Sequence, residues 1–553
     1  MLLSGVSASY PPAHFGAIIG PSGCGKTSLL KFVAGIAPGE ESGEIHWKGR
    51  SLLDEDFHAS EIAYVPQFGI AHEELTAREC VRIALDLRVR RRPDEDREHT
   101  VEALLGEAGV TDFENQRVKT LSGGQRRRLA LAMELTSKPE ILLCDEVTSG
   151  LDPRSENDIV RLLQNQSRDV GRLVLSVTHS LEHLELYDSV LVLYGGMLAY
   201  HGPSERLAPY FGVEHPEHLY SCLDTRASKE WADLWRQHRE KECVESVVDE
   251  IPTSAVLDGV SGQPGGKFLH PGAWSQFFTL LHRRVLVFAR SKSQILIQLA
   301  FVFGFPFLVA LFAWDGLPAV KHLSMGLGLN GMDQVAESRA FLAESSKLGG
   351  LVSGIVMIQV ILLTLMGANN SGREIASERA VFEKEKLSGL SPFAYVTAKA
   401  AFLFLLVCAQ SLWMGIFVHG VCGFPGDLPA QLGYLLLVNA ALTTICLAVS
   451  SIMRSAEQAS LVSIYLVGFQ LPLSGAVLAL PEQIGPLVRP WISAYWGWAG
   501  ILQTLRLDRS YDTLQAVIPT PLASSAVCAW VLCAHAAAGL AVAWIGCEQR
   551  RFE

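Results

Sequence analysis

The 553-residue sequence predicts an α/β domain built around a phosphate-binding loop, followed by an all-α polytopic membrane domain. Three observations carry that reading. A glycine-rich loop near the start ends in Lys26 and Thr27. A second glycine loop and a strand-like run ending in two carboxylates follow it in order. Hydrophobic residues make up 49% of the chain and charged ones 19%, and the apolar excess is concentrated beyond about Gln294.

The first loop is Gly20, Pro21, Ser22, Gly23, Cys24, Gly25, Lys26 and Thr27, with Ser28 opening a helix-like run. It follows the apolar strand-like residues Gly16–Ile19. That strand–loop–helix setting is what a phosphate-binding loop requires. The glycines let backbone N–H groups turn toward phosphate oxygens. Lys26 can reach the β- and γ-phosphates, and the Thr27 hydroxyl can ligate Mg²⁺.

Residues 62–67 read as a short strand ending in Gln67. Thr76 and Glu79 have capping-box spacing at the start of a helix. The charge run from Arg88 to Arg97 reads as a solvated face. Ser122, Gly123, Gly124 and Gln125 then precede a helix, where its dipole and free N–H groups favour an anion. The run Glu140–Glu146 is a buried-strand pattern with Asp145 at its tip. Asp145 suits Mg²⁺ through water, and Glu146 can polarise an attacking water. Residues 148–152 form a turn that ends in Asp152. A further apolar strand ends at His179, on the edge of an open α/β sheet where ligands gather, which suits the γ-phosphate.

In this order, residues 1–210 resemble the nucleotide-binding domain of an ABC ATPase. The resemblance implies ATP and Mg²⁺ as ligands. It places Glu146, His179 and Gln67 in the catalytic set and Thr27, Gln67 and Asp145 around Mg²⁺. It also implies a head-to-tail dimer, in which ATP lies between Lys26 and Thr27 of one copy and Ser122 and Gly124 of the other. Asp152 then communicates across the interface, and Gln67 lies in the loop facing the membrane domain. One phosphate loop and one Leu-Ser-Gly-Gly-Gln run per chain make a second copy, or a related half-transporter, a geometric requirement. The family's adenine-stacking aromatic is not assigned, because Tyr10 and Phe15 are poorly placed. Val147 stands where related proteins often carry Pro. Residues 195–203 with Tyr210 and Phe211, and the runs 373–385 and 391–399, resemble the G subfamily of ABC transporters, as does the domain order.

The expected layout is a nucleotide-binding domain over 1–212, a linker with a charged helix over 213–272, and an amphipathic interfacial helix over 273–292. A membrane domain of ABC-2 type covers 293–553. Trp274, Phe277, Phe278, Leu281, Val285 and Phe288 recur at helical spacing, with Arg283, Arg284, Arg290 and Lys292 among or beyond them. About six spans are expected, near 295–314, 348–368, 398–421, 432–452, 459–480 and 522–546, each close to the roughly 20 residues a bilayer core requires. The stretch 484–501 is too broken to span and reads as re-entrant or interfacial. The loop 315–347 is long enough for a small helix of its own. The distribution of Lys and Arg places the nucleotide-binding domain and both termini in the cytosol, with the spans in the cytoplasmic membrane. No secretory signal is read at the start. The stretch Arg373–Lys386 is expected to sit on the ATPase near Gln67.

The net charge of −11 argues against a nucleic-acid partner. The 11 cysteines form no CxxC pair and read as small buried residues. Few ionisable residues fall within the expected spans, so no ion relay is indicated and an apolar or amphipathic substrate is favoured. The sum is an ATP-driven exporter acting as a homodimer in the lipid bilayer. The competing readings are a non-transporting machine that transmits force or signals, an importer, which the fused domains disfavour, and a soluble ATPase, which the apolar spans exclude.

Overall fold

The computed structural model describes the chain except residues 1–2, 37–41, 52–56, 58–60, 68–70, 92–95, 247–269, 315–316, 318–330, 477–479, 482, 509 and 550–553. The chain divides into two compact units. The first is Met1–Thr279 with Ala380–Ser391, and the second is Leu280–Arg379 with Pro392–Arg550.

The first unit is built on a six-stranded sheet. Its strands are β1 (Phe15–Ile19), β4 (Ile62–Val65), β5 (Ile141–Asp145), β6 (Leu173–Val177), β7 (Ser189–Tyr194) and β8 (Met197–Gly202), in the order β4-β5-β6-β1-β7-β8. A separate two-stranded hairpin pairs β2 (His46–Trp47) with β3 (Arg50–Ser51). All pairings in the large sheet are parallel except β7 with β8. β1, β5 and β6 are buried at every position. Parallel strands covered on both faces are near-continuous apolar runs, which is how these segments read.

Helices α1 (Lys26–Val33), α2 (Ala77–Arg88), α3 (Arg97–Glu107), α4 (Gly123–Leu135) and α5 (Pro153–Arg168) complete the α/β body. The expected capping box is present on α2: Glu79 N donates to Thr76 Oγ1 at 3.3 Å, and Thr76 N donates to Glu79 Oε2 at 2.9 Å. α4 carries a second box, between Ser122 and Gln125. The run from Arg88 to Arg97 departs from the solvated face expected of it. Arg88 is 4% exposed and pairs with Glu134, while Arg97 is buried against Asp86.

Short helices α6 (Leu207–Phe211) and α7 (Leu219–Leu223) lead to α8 (Ser228–Ser246), the charged helix expected after the ATPase. Its Trp231 and Trp235 are buried in an aromatic cluster with Tyr200, Tyr210 and Phe211. The expected break at 252–266 lies outside the described residues.

The second unit is helical. It takes most of α9 (Ala273–Arg290), then α10 (Lys292–Leu311) and α11 (Gly331–Ser371). The helix α12 (Arg379–Leu387) belongs almost wholly to the first unit. Then follow α13 (Pro392–Cys422), α14 (Leu428–Ile452), α15 (Ala456–Leu473), α16 (Gly485–Val488), α17 (Ser493–Gln503), α18 (Ser510–Val517) and α19 (Ser525–Gln549).

Among the described residues, five helical segments are long and apolar enough to cross a membrane, and they take in α10, α11, α13, α14 and α19. The sixth expected span, 459–480, falls short of that standard. Its helix α15 has 18 residues, about 27 Å at 1.5 Å per residue, and Glu457, Gln458 and Gln470 dilute its apolar character. The stretch 484–501 forms short helices, as its Pro and Gly content suggests, and α17 is buried along most of its length. Within the 315–347 loop, residues 331–347 are no separate helix but the N-terminal continuation of α11.

Small residues set the packing of this unit. A Cβ on Gly539 would meet the Thr444 carbonyl carbon at 2.7 Å, and one on Gly367 would meet Thr443 Oγ1 at 2.6 Å. Apolar helices without a hydrophobic drive between them associate through such close contacts. The outer faces keep large apolar side chains exposed, among them Leu296, Phe303, Leu405, Tyr465 and Trp530, as lipid-facing helices do.

Candidate functional site

The strand order places four loops side by side along the carboxyl edge of the sheet. Gln67 follows β4, Glu146 follows β5, His179 follows β6 and the phosphate loop follows β1. Segments far apart in sequence thereby meet.

The loop between β1 and α1 folds as its glycines require. Gly23 (φ 78°) and Gly25 (φ 101°) adopt the left-handed region. A Cβ on Gly20 would lie 2.1 Å from the Leu193 carbonyl oxygen, so only glycine fits there. Lys26 is 4% exposed, and its Nζ donates to the carbonyls of Gly20 (2.8 Å) and Pro21 (3.0 Å). Burial holds its ammonium below the usual lysine range, opposed by Cys24, Glu146 and Asp145. The Cys24 thiol is pushed up by burial, so it behaves as a packing residue.

Thr27 Oγ1 donates to Asp145 Oδ1 at 2.9 Å. Tyr64 Oη donates to the other oxygen, Oδ2, also at 2.9 Å. Burial raises the Asp145 carboxyl above its ordinary range, while these two hydrogen bonds pull it down. Glu146 sits next in the chain at φ 48°, an uncommon conformation for a non-glycine residue. Gln67 Nε2 donates to its Oε2 at 2.7 Å, and His179 Nε2 lies 2.6 Å from its Oε1. The hydroxyl of Thr27, the carboxylate of Asp145 and the amide of Gln67 are hard oxygen groups of the kind Mg²⁺ takes. Among the described residues, no group of three or more His, Cys, Asp or Glu forms a metal site of another kind.

The other expected residues lie apart from this group. Ser122 and Gly123 are exposed. Ser122 caps α4, with Gln125 N donating to its Oγ at 3.3 Å. A Cβ on Gly124 would lie 3.5 Å from Leu151 and 4.0 Å from Ser155, so this loop borders the 148–152 turn. Asp152 is the N-cap of α5 and accepts from Ser155 N at 3.0 Å. Among the described residues, no hydrogen bond or ion pair joins Ser122–Gln125 or Asp152 to Lys26, Thr27 or Glu146. The poor placement of Tyr10 and Phe15 for adenine has a structural basis: Tyr10 packs on His201 and Phe15 stacks on Tyr187.

Two features escaped the sequence reading. Tyr64 is one. It sits in β4 within an apolar run and reads as core; only its strand alternation with Val65, three residues before Gln67, could have pointed it toward the site. The other is Glu134 on α4. It is fully buried and pairs with Arg88 (3.0 Å) and with Lys384 of the Ala380–Ser391 segment (2.9 Å). Burial alone would raise its carboxyl, but the two cations hold it below the ordinary range. Gln276 fastens the same segment, donating to the carbonyls of Leu87 (3.1 Å) and Gly389 (3.0 Å) and accepting from Ser391 N (3.0 Å). Of the stretch expected near Gln67, Lys384 reaches Glu134 on α4, and the Gln67 amide is engaged by Glu146.

The sequence matches the ABC transporter family over residues 3–149 and the ABC-2 type transporter family over residues 275–496. The class follows: an ATP-binding cassette of the ABC type, followed by an integral membrane domain of the ABC-2 type. Over 94% of its length the chain is 29% identical to the ABC transporter ATP-binding/permease protein Rv1747 of Mycobacterium tuberculosis, covering 57% of that protein. It is 27% identical to ABC transporter G family member 31 of Arabidopsis thaliana over 76% of this chain and 30% of that one. Against G family member 13 of the same plant it is 36% identical over 48% of this chain and 41% of that one. The chain belongs to the ABC transporter family and is homologous to its G family half-transporters. It spans little more than half of the mycobacterial relative and under a third of the first plant one.

Proposed function

We propose that this protein is an ATP-driven transporter that exports a hydrophobic or amphipathic substrate and works as a dimer of two such chains. The observation that carries the proposal is Glu146, held between Gln67 and His179 beside the Thr27–Asp145 pair, on a chain that also bears apolar helices of spanning length. Lys26 and the backbone of residues 20–25 would bind the β- and γ-phosphates. Thr27, Asp145 and Gln67 would hold Mg²⁺, which neutralises phosphate charge when bound. Glu146 would orient and polarise the attacking water, and His179 would fix both Glu146 and the γ-phosphate.

Ser122 and Gly124 are exposed or half-exposed, with no described bond to their own phosphate loop. This supports a site completed by a second copy. Dimer closure on ATP would then move the membrane helices, and hydrolysis would reset them. The segment Ala380–Ser391, anchored through Lys384 on Glu134, is the contact through which closure would pass. The nucleotide-binding domain and both termini are assigned to the cytosolic side of the cytoplasmic membrane on the distribution of Lys and Arg.

Glu146→Gln tests the site. The variant should bind ATP, accumulate a closed dimer and lose about a hundredfold or more of its hydrolysis rate, the scale of a lost general base. Normal turnover would remove Glu146 from this role. Proteoliposomes test the rest: ATP-dependent movement of an amphipathic compound supports export, while ATPase activity with no movement of any compound supports the mechanical or signalling reading instead.

A further inference from the structure

The second unit contains a polar cavity of about 70 Å³ where α9, α10, α13 and the end of α11 converge. On the same measure a single water needs roughly 10–15 Å³. Its floor is internally satisfied. Arg284 Nη2 donates to Glu374 Oε2 at 2.8 Å, and Lys399 Nζ donates to Glu374 Oε1 at 3.0 Å and also to Glu378. Two cations and two carboxylates cancel. Beside them three amides close a ring: Gln298 donates to Asn370, Asn370 to Gln410 (3.2 Å) and Gln410 back to Gln298 (2.9 Å).

The mouth of the cavity is not satisfied in this way. Arg373, Asn369 and Ser377 line it and are exposed. Among the described residues the Arg373 guanidinium makes no ion pair or hydrogen bond. Gln294 also lines the cavity, and its Oε1 is buried without a hydrogen-bond partner. The lining therefore carries one surplus positive charge and one waiting acceptor. The remaining wall is apolar, formed by Phe288, Ile297 and Leu406. Ile297 on this wall is 40% exposed.

We propose that this cavity binds the phosphate-bearing headgroup of a phospholipid. Arg373 pairs with the phosphate by charge-assisted hydrogen bonds, the geometry a guanidinium offers and an ammonium does not. Gln294 Oε1 accepts from a hydroxyl or amine of the headgroup. The acyl chains lie against the apolar wall of Phe288, Ile297 and Leu406. A free inorganic phosphate would satisfy Arg373 but would leave the apolar wall without a role, which is why a lipid is the assigned source.

The test is lipid retention by the full chain in neutral detergent, read by native mass spectrometry, and it stands apart from any hydrolysis or transport assay. Dioleoylphosphatidylglycerol and dioleoylglycerol share acyl chains and differ in the phosphoglycerol headgroup. The phospholipid should be retained about tenfold better, and Arg373→Gln should lose about tenfold of that retention, as for one lost charged contact. Asn369→Lys, an exposed change that adds a cation at the mouth, should raise retention instead. Millimolar inorganic phosphate should leave it unchanged. Equal retention of the two lipids would overturn the proposal. So would unaltered retention in both variants, or displacement by inorganic phosphate, which would assign the site to a free anion.

Discussion

Glu146 shows how the site works at the level of single residues. Its backbone conformation costs on the order of 1–3 kcal/mol, and its carboxylate accepts from Gln67 Nε2 and lies 2.6 Å from His179 Nε2. Its neighbour Asp145 is governed by opposing effects. Burial raises its carboxyl, and the bonds from Tyr64 and Thr27 lower it. Tyr64→Phe removes one lowering contribution and keeps the ring. The carboxyl then holds its proton to higher pH, so the acid limb of the ATPase pH profile should move upward. An unmoved limb would mean that the ionisation of Asp145 does not limit turnover. Lys26 is shifted in the other direction, since burial lowers it, and Tyr64→Phe does not touch its contacts with the Gly20 and Pro21 carbonyls. The clustering of Asp145, Glu146 and His179 was legible because polar groups at the ends of neighbouring apolar strands fall on one sheet edge. Tyr64 was not, because an aromatic inside a strand is indistinguishable from core until its hydroxyl is seen 2.9 Å from a carboxylate.

At the scale of elements, the junction of α2, α4 and α12 is organised by a charge that the sequence hid. Arg88 closes a helix inside a basic run, and such runs are ordinarily solvated. It is buried because Glu134 of α4 faces it, and Glu134 in turn accepts Lys384, which lies 250 positions further along the chain. No local pattern reports a partner at that distance. The arrangement predicts unequal consequences for its members. Lys384→Met leaves the Arg88–Glu134 pair intact. Glu134→Ala leaves two buried cations facing each other, and breaking a buried pair in this way costs about 3–5 kcal/mol. Hydrogen exchange across Arg379–Leu387 should therefore accelerate in both variants and much more in Glu134→Ala. Equal effects would show that α12 is held by apolar packing alone. Because the two cations depress the Glu134 carboxyl, its contribution is fully present above the unfolded carboxylate range near 4.3 and is lost as pH falls through the lower folded value. The membrane helices were read from sequence more easily, since length and hydropathy suffice. The exception was α15, where Glu457 and Gln458 open the helix and Gln470 falls inside the expected span.

For the whole molecule, the proposed function gives each chain two unlike halves of a nucleotide site. Lys26 and Thr27 are engaged at the sheet edge, while Ser122 to Gln125 are capped on α4 with no described bond to them. Two identical chains arranged head to tail form two sites, each drawing its phosphate loop from one copy and its Ser122 loop from the other. This arrangement predicts complementation between dead variants. Lys26→Ala removes the phosphate loop's cation, and Ser122→Arg blocks the opposing loop, so each variant alone has no working site. In a mixed dimer, one site unites both lesions and the other unites an intact Lys26 with an intact Ser122. Random assortment makes half of the dimers mixed, each with one of two sites intact, so about one quarter of the wild-type sites should reappear. Co-reconstituting the two variants in one membrane and measuring ATPase activity against each alone checks this. Recovery of the activity requires subunit exchange, and its absence after demonstrated mixing would mean that nucleotide is hydrolysed within one chain. The full rate returning would be as damaging, since it would require a site in which neither lesion matters.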